Sequence, residues 1–263
     1  MSVRGIFDLT GKVAAVIGGA SGIGEAVTIG AAEMGATVVC LDIKQEAAAK
    51  VAARAGHGGT CAAGALDIRD GTAVAQVFDD IVAQHGSLDI VICTPSINVR
   101  KKILDYQDDE LSRVLDLNIK GNFNVLRAAG RIMTAQRRGS IVLFSSIRSL
   151  VVEPGQSVYS ATKAGILQLA RGAASEFGPF GVRVNCVGPG VIETPLTAPI
   201  KANKEWFDAY AAKSAFNRWG RPEEMVGPTL FLASDAASYV TGTIIYADGG
   251  WLAADGRFTP PGM

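Results

Sequence analysis

The chain reads as an α/β protein built on one doubly wound parallel sheet. Short β-branched apolar runs alternate with longer helical patterns along nearly the whole sequence. Several runs are apolar at almost every residue, as strands covered on both faces must be. A glycine-rich turn follows the first run, just where a helix begins. One domain over residues 1–263 is expected, because no repeat, low-complexity tract or linker interrupts the pattern.

Taken in order, KVAAVIG supplies the first strand and GIGEAVTIGAAEMG the helix that returns from it. TVVCLD, TCAAGALD and LDIVICT are the next strands, separated by helices on QEAAAKVAARAG and GTAVAQVFDDIVAQHG. A long helical segment from Asp108 to about Arg138 leads to the strand SIVLFSS. YSATKAGILQLARGAASEFG, VRVNCVG, PEEMVGPTLFLAS and TIIYADG complete a set of seven strands and six intervening helices. Gly35, Gly56, Gly86, Gly139 and Gly181 fall near the ends of helical patterns, where left-handed caps are expected. From Glu193 to Arg221 the alternation breaks. Pro195, Pro199, Trp206, Phe207, Tyr210, Phe216 and Trp219 there predict an aromatic, helical excursion (about 193–221) over the ligand crevice.

Bulk composition narrows the function classes. With 263 residues, 48% of them hydrophobic and 19% charged, the chain can bury one sizeable core. Lys plus Arg (25) balances Asp plus Glu (25), so no global field recruits nucleic acid or an anionic membrane. Cys40, Cys61, Cys93 and Cys186 lack CxxC pairing and sit mostly in apolar runs, which predicts buried free thiols in a reducing compartment. His57 and His85, both beside glycines in apparent loops, argue against a metal cluster or a histidine-based triad. The opening MSVRGIFDLTGK has no long apolar core of a leader, and no run approaches roughly 18 unbroken apolar residues. A soluble, cytoplasmic protein without metal, nucleic-acid or membrane partners is expected.

GGASGIG places Gly18, Gly22 and Gly24 in a GxxxGxG spacing between strand and helix. Glycines permit the tight turn and let backbone approach a pyrophosphate, whose charge the helix N-terminus attracts. Asp42 ends the second strand, where a carboxylate can hydrogen-bond the adenosine ribose and repel a 2′-phosphate. NAD is therefore favoured over NADP, although Lys44 could partly rescue phosphate binding. Asp67 ends the third strand and could cap an adenine edge or be the N-cap of the next helix.

Tyr159 and Lys163 lie at i and i+4, so they project from one helix face, and Ser146 precedes Tyr159 by thirteen residues. An ammonium beside a phenol favours the phenolate, and a serine hydroxyl can bond the oxygen that gains or loses the proton. Proton transfer at an alcohol or ketone follows. A bare YxxxK is common and means little alone; the nucleotide turn upstream gives it weight.

From GGASGIG through LDLNIKG, FSSIRS, YSATK and VGPGVIET to YADGG, the chain resembles the short-chain dehydrogenase/reductase family over essentially its whole length. The resemblance implies a Rossmann-type fold and a tetrad of Asn118, Ser146, Tyr159 and Lys163. Tyr159 would be the acid/base, Ser146 would hold the substrate oxygen, Lys163 would lower the tyrosine pKa and bind the nicotinamide ribose, and Asn118 would support a relay water through its carbonyl. It also implies cofactor contacts at Ser21, Ile23, Ile68, Cys93, Thr94 and Pro95, and a nicotinamide lining of Pro189, Gly190, Ile192 and Thr194. Family members are commonly tetramers, so a homotetramer or homodimer is expected.

Two departures stand out. Ile17 replaces the threonine usual before Gly18, which removes a hydroxyl that braces the turn. CTPS, Cys93 to Ser96, stands where the family usually has NNAG. Pro95 can be accommodated there only where no ladder partner is needed.

Arg100, Lys101 and Lys102 follow that motif, and Arg148 lies two residues beyond Ser146. A guanidinium facing the pocket would suit a carboxylate or phosphate, and Glu153 and Gln156 add polar groups at the same mouth. The expected substrate is a secondary alcohol or ketone in a polar sugar, sugar acid or hydroxy acid. A 3-oxoacyl-thioester reductase is the alternative enzyme, and a nucleotide-sensing binding protein the alternative outside enzymes; Tyr159 and Lys163 both being present speaks against the latter.

Overall fold

The computed structural model describes residues 2–3, 5–55 and 59–253. Among the described residues, seven strands form one parallel sheet: β1 Val13–Ile17, β2 Thr37–Asp42, β3 Cys61–Ala65, β4 Ile90–Cys93, β5 Gly139–Phe144, β6 Val182–Pro189 and β7 Ile244–Ala247. Their order is β3-β2-β1-β4-β5-β6-β7, with every pairing parallel. Winding reverses between β1 and β4, and that switch point opens a crevice at the strand C-termini.

The helices are α1 Gly22–Glu33, α2 Gln45–Arg54, α3 Gly71–His85, α4 Asp108–Leu115, α5 Asn122–Gln136, α6 Ser157–Phe177, α7 Ala198–Lys201, α8 Lys204–Ala211 and α9 Val226–Ala233. Alternation along β1 divides the core in two. Val13, Ala15 and Ile17 pack with Phe78, Met133 and Ile166 of α3, α5 and α6, whereas Ala14 and Val16 pack with Val27 and Leu230 of α1 and α9. Every residue of VAAVI is buried, as a strand covered on both faces requires.

The segment expected as one long helix is broken. Residues Asp116–Gly121 form a π-helical turn between α4 and α5. Asn118, 0% exposed, holds that turn by accepting from Ile97 N (3.0 Å) and donating to Ile97 O (2.9 Å) and Thr162 Oγ1 (3.1 Å). Gly121 is needed because a Cβ there would meet Ile68 Cγ1 at 2.6 Å.

Caps depart from the sequence reading in two places. Gly35, Gly86 and Gly181 take positive φ as expected, but α5 ends on Arg137 (φ 57), while Gly139 opens β5. The N-cap of α3 is Asp70, which accepts from Thr72 N (2.9 Å) and Ala73 N (3.0 Å), so Asp67 does not have that role. His85 is the last residue of α3 rather than a loop residue. Gly56, His57, Phe258 and the final prolines lie outside the described residues.

The excursion after β6 is helical and aromatic. Phe207 stacks on Trp219 (4.8 Å, 9°), and Tyr210 meets Trp251 edge-on at 5.5 Å. With Ile147 and Ile200 these rings form a separate small core beside the crevice. Among the described residues, no helix is long and apolar enough to cross a membrane, and no cluster of His, Cys, Asp or Glu could hold a metal.

Candidate active site

The crevice at the switch point has a volume of about 680 Å³. Gly18, Ser21, Gly22, Ile23, Gly24, Asp42, Asp67, Ile68, Thr94, Pro95 and Thr194 line it together. Its glycines are sterically required. Gly18 (φ 74) and Gly22 (φ 54) are left-handed, and a Cβ on Gly24 would lie 2.0 Å from the Gly18 carbonyl oxygen. The turn thus exposes backbone amides at the N-terminus of α1, a cradle for an anionic diphosphate.

Both sequence departures resolve here. Ile17 is 1% exposed and packs in the core. The brace comes instead from Thr94, whose hydroxyl donates to Ile17 O (2.9 Å) and Gly18 O (3.3 Å). Pro95 lies beyond the end of β4, where it breaks no ladder bond. Ser96 Oγ and Ile97 N then bond Asn118, which ties this loop to the π turn.

Asp42 accepts from Ala20 N (3.3 Å) and Lys44 N (3.0 Å), so it is fixed beside the glycine turn. Asp67 pairs with Arg69. Hydrogen bonds from Arg69 are the largest cause holding the Asp67 carboxyl below its ordinary value. Arg69, Ile97, Leu117 and Leu196 also line the crevice and were not picked out from sequence. They belong to turns whose approach depends on how the strands pair.

Of the expected cofactor contacts, Cys93, Ile192, Pro189 and Gly190, like Tyr159 and Lys163, are not among the residues lining this crevice. Cys93 is 1% exposed with its side chain in the core, where burial pushes its thiol up to about 12. Ile192, 5% exposed, packs against the α1/α9 layer and lines a separate pocket of about 170 Å³ beside Met225 and Trp251. Pro189 ends β6, and Gly190 is pressed so close to Asp248 that a Cβ would come within 2.7 Å of its Cα. None of these lines the nucleotide crevice; Thr194 represents that segment there.

Helix α6 carries Tyr159 and Lys163 on one face; neither lines the crevice itself, but Tyr159 is hydrogen-bonded to Ser96, which does. Lys163 Nζ lies 5.5 Å from the centroid of the Tyr159 ring and donates to Phe144 O (2.8 Å). Ser146, 7% exposed, caps the turn after β5 by accepting from Arg148 N (3.1 Å). Burial pushes Lys163 down from 10.5 to about 8. Burial also raises Tyr159; hydrogen bonds from Ser146 and Ser96 and the charges of Arg100 and Arg148 pull against it without prevailing. A hydroxyl removed from water disfavours the anion more than neighbouring cations restore it.

The residues expected at the substrate mouth form a polar cluster. Glu153 pairs with Arg148 (2.7 Å) and Arg100 (3.0 Å), and accepts from Gln156 Nε2 and Tyr210 OH. Burial alone would raise Glu153, but Tyr210, Arg148, Arg100 and Gln156 together hold its carboxyl below the ordinary value. Arg148, 6% exposed, is not aimed at open solvent as a lone anion receptor; its guanidinium already meets an internal carboxylate. Lys101 is engaged by Glu110 (2.6 Å). Tyr210 and Asn98, which donates to Gln156 (3.0 Å), join this cluster without any signal in the sequence beyond the aromatic run.

Comparison with known proteins adds to this geometry. A family model described as enoyl-(acyl carrier protein) reductase matches residues 18–252. The chain is 36% identical over 243 residues to the 3-oxoacyl-[acyl-carrier-protein] reductase of Thermotoga maritima, covering 92% of this chain and 98% of that one. A short-chain type dehydrogenase/reductase from Mycobacterium marinum superposes with a TM-score of 0.92 at 34% identity, covering 96% of this chain and 100% of the other. A gluconate 5-dehydrogenase from Burkholderia cenocepacia J2315, solved in complex with NADP and tartrate, has a TM-score of 0.92 at 30% identity with the same coverage.

Proposed function

The chain belongs to the short-chain dehydrogenase/reductase family of NAD(P)-dependent oxidoreductases acting on CH–OH groups, and we propose that its substrate is a sugar, sugar acid or similarly polar hydroxy acid. The carrying observation is the cluster of Arg100, Arg148, Glu153, Gln156 and Tyr210, whose two arginine charges act on Tyr159. Each arginine spends one N–H on Glu153 and keeps others, which hydroxyls and a carboxylate can engage and a steroid or long acyl chain cannot. A gluconate enzyme of the same fold supports the class.

The glycine turn, Asp42, Thr94 and Thr194 fit a dinucleotide, because the turn leaves no room for side chains where a diphosphate would lie. Bound there, nicotinamide supplies the hydride acceptor or donor. Tyr159 gives its proton to a ketone oxygen in reduction, or takes the hydroxyl proton as a phenolate in oxidation. Ser146 holds that oxygen, Lys163 provides a buried positive charge beside the phenol, and Asn118 fixes the loop from Ser96 to Ile97 against the site. Asp42 favours NAD by repelling a 2′-phosphate.

A 3-oxoacyl-thioester reductase is the second reading, favoured by the Thermotoga relative. One assay separates them: sugars, sugar acids, polyols and oxoacyl thioesters followed at the nicotinamide absorbance with NAD and NADP in parallel. Turnover of hydroxy acids with NAD is expected; turnover confined to oxoacyl thioesters with NADPH replaces the first reading with the second. Buried Cys40, Cys93 and Cys186 support a cytoplasmic setting. A homotetramer or homodimer is supported by Leu111, Leu115 and Phe123, which expose apolar surface along α4 and α5.

A further inference from the structure

Four segments meet on Glu153. Its Oε1 accepts from Arg100 Nη1 (3.0 Å) after β4, from Gln156 before α6 and from Tyr210 on α8; its Oε2 accepts from Arg148 Nη2 (2.7 Å) after β5. The Arg148 and Glu153 side chains are 7% and 19% exposed, so solvent screens them weakly. Trp251 lies under Arg148 (5.6 Å) and Trp206 under Arg100 (5.0 Å), which restrains both guanidiniums.

The charge at this point can be counted. Two guanidiniums share one carboxylate, leaving a single positive charge. Nearby, Lys101 is paired with Glu110, Lys213 over Trp251 is solvent-exposed, and Asp248 is bound by the Gly250 and Leu252 amides. A guanidinium has five N–H donors, and each arginine spends one on Glu153, so donors remain for an incoming group.

We propose that Glu153 is a specificity-determining residue whose carboxylate cancels one of the two arginine charges, so that the mouth selects substrates carrying one carboxylate over neutral polyols and over dicarboxylates. This rests on the hydroxy-acid reading and adds to it. A neutral polyol gains nothing from the remaining charge. A second carboxylate on the substrate meets Glu153 in a poorly screened site, where one charge–charge contact is worth about tenfold in affinity.

The test uses full-length enzyme loaded with NADH and three six-carbon probes: sorbitol, gluconate and glucarate, with none, one and two carboxylates. Binding is read from tryptophan fluorescence, since Trp206 and Trp251 carry the arginines. In the unsubstituted enzyme gluconate should bind about tenfold more tightly than either other probe. Glu153→Gln should raise glucarate affinity about tenfold, and Arg100→Gln should erase the advantage of gluconate over sorbitol. Glu153→Asp, which keeps the charge, should keep the original ranking.

An unchanged ranking in Glu153→Gln and Arg100→Gln overturns the inference. So does an equal loss of all three probes in Glu153→Gln at an unaltered melting midpoint, which would leave Glu153 only a positioning role. A shifted ranking without turnover of any hydroxy acid would uphold charge selection by Glu153 and defeat the reaction assigned above. Turnover with no shift would do the reverse.

Discussion

Tyr159 and Lys163 are neighbours on α6 whose charged forms are both disfavoured by burial: the phenol is raised and the amine lowered to about 8, so the amine still holds its proton at neutral pH. A raised phenol makes Tyr159 a proton donor at neutral pH and a base only under alkaline conditions. Alcohol oxidation should therefore climb with pH and ketone reduction fall, measured as initial rates in both directions; parallel profiles would contradict the role. Tyr159→Phe should lower turnover by about 10³-fold or more while leaving NADH binding intact, because only the transferable proton is removed. Lys163 has a consequence for stability. Below about pH 8 both folded and unfolded chains hold its proton and the burial penalty is full; between about 8 and 10.5 the unfolded chain binds more protons, so stability rises with pH. Chemical denaturation should show that rise, up to about 3 kcal/mol, and Lys163→Met should abolish it together with turnover. The i, i+4 spacing made the shared face of this pair legible in the sequence. The sign of the tyrosine shift was not, because it depends on how much protein surrounds the hydroxyl.

At the scale of elements, the glycine turn and the CTPS segment form one unit. Thr94 donates to two carbonyls of the turn, doing from β4 what a hydroxyl at position 17 would do from β1. Thr94→Val keeps the shape and removes that bond. A loss of about 1 kcal/mol in stability is expected, with several-fold weaker dinucleotide binding by calorimetry and no change in hydride-transfer rate at saturation. Strands and most helices could be located from apolar runs and glycines alone, since those features act locally. The π turn at Asp116–Gly121 could not, because its cause is Asn118 bonding to Ile97, a residue 21 positions away. Nor could the end of α5 on Arg137, where a non-glycine residue takes the left-handed conformation that Gly139 was expected to adopt.

Across the whole molecule, the expected assembly rests on exposed apolar side chains along α4 and α5. Phe123 is 46% exposed and Leu115 41%. Phe123→Glu should shift the protein toward smaller species in light scattering while leaving its far-UV spectrum unchanged; an unaltered mass would place any interface elsewhere. At the same scale, the parallel order β3-β2-β1-β4-β5-β6-β7 brings the loops after β1, β4, β5 and β6 to one end of the sheet. The nucleotide crevice and the Glu153 cluster are therefore neighbours, although their residues are spread from Gly18 to Trp251.

By itself the sequence determined the sheet, the family and the shared face of Tyr159 and Lys163, since periodicity, glycine spacing and an i, i+4 offset are short-range signals. Tertiary structure alone decided which groups face one another: that Arg100 and Arg148 meet Glu153, that Cys93 and Ile192 turn into the core, and that Tyr159 is raised. Those outcomes depend on burial and on approach between segments far apart in the chain, and electrostatics in a poorly hydrated site follows distance in space.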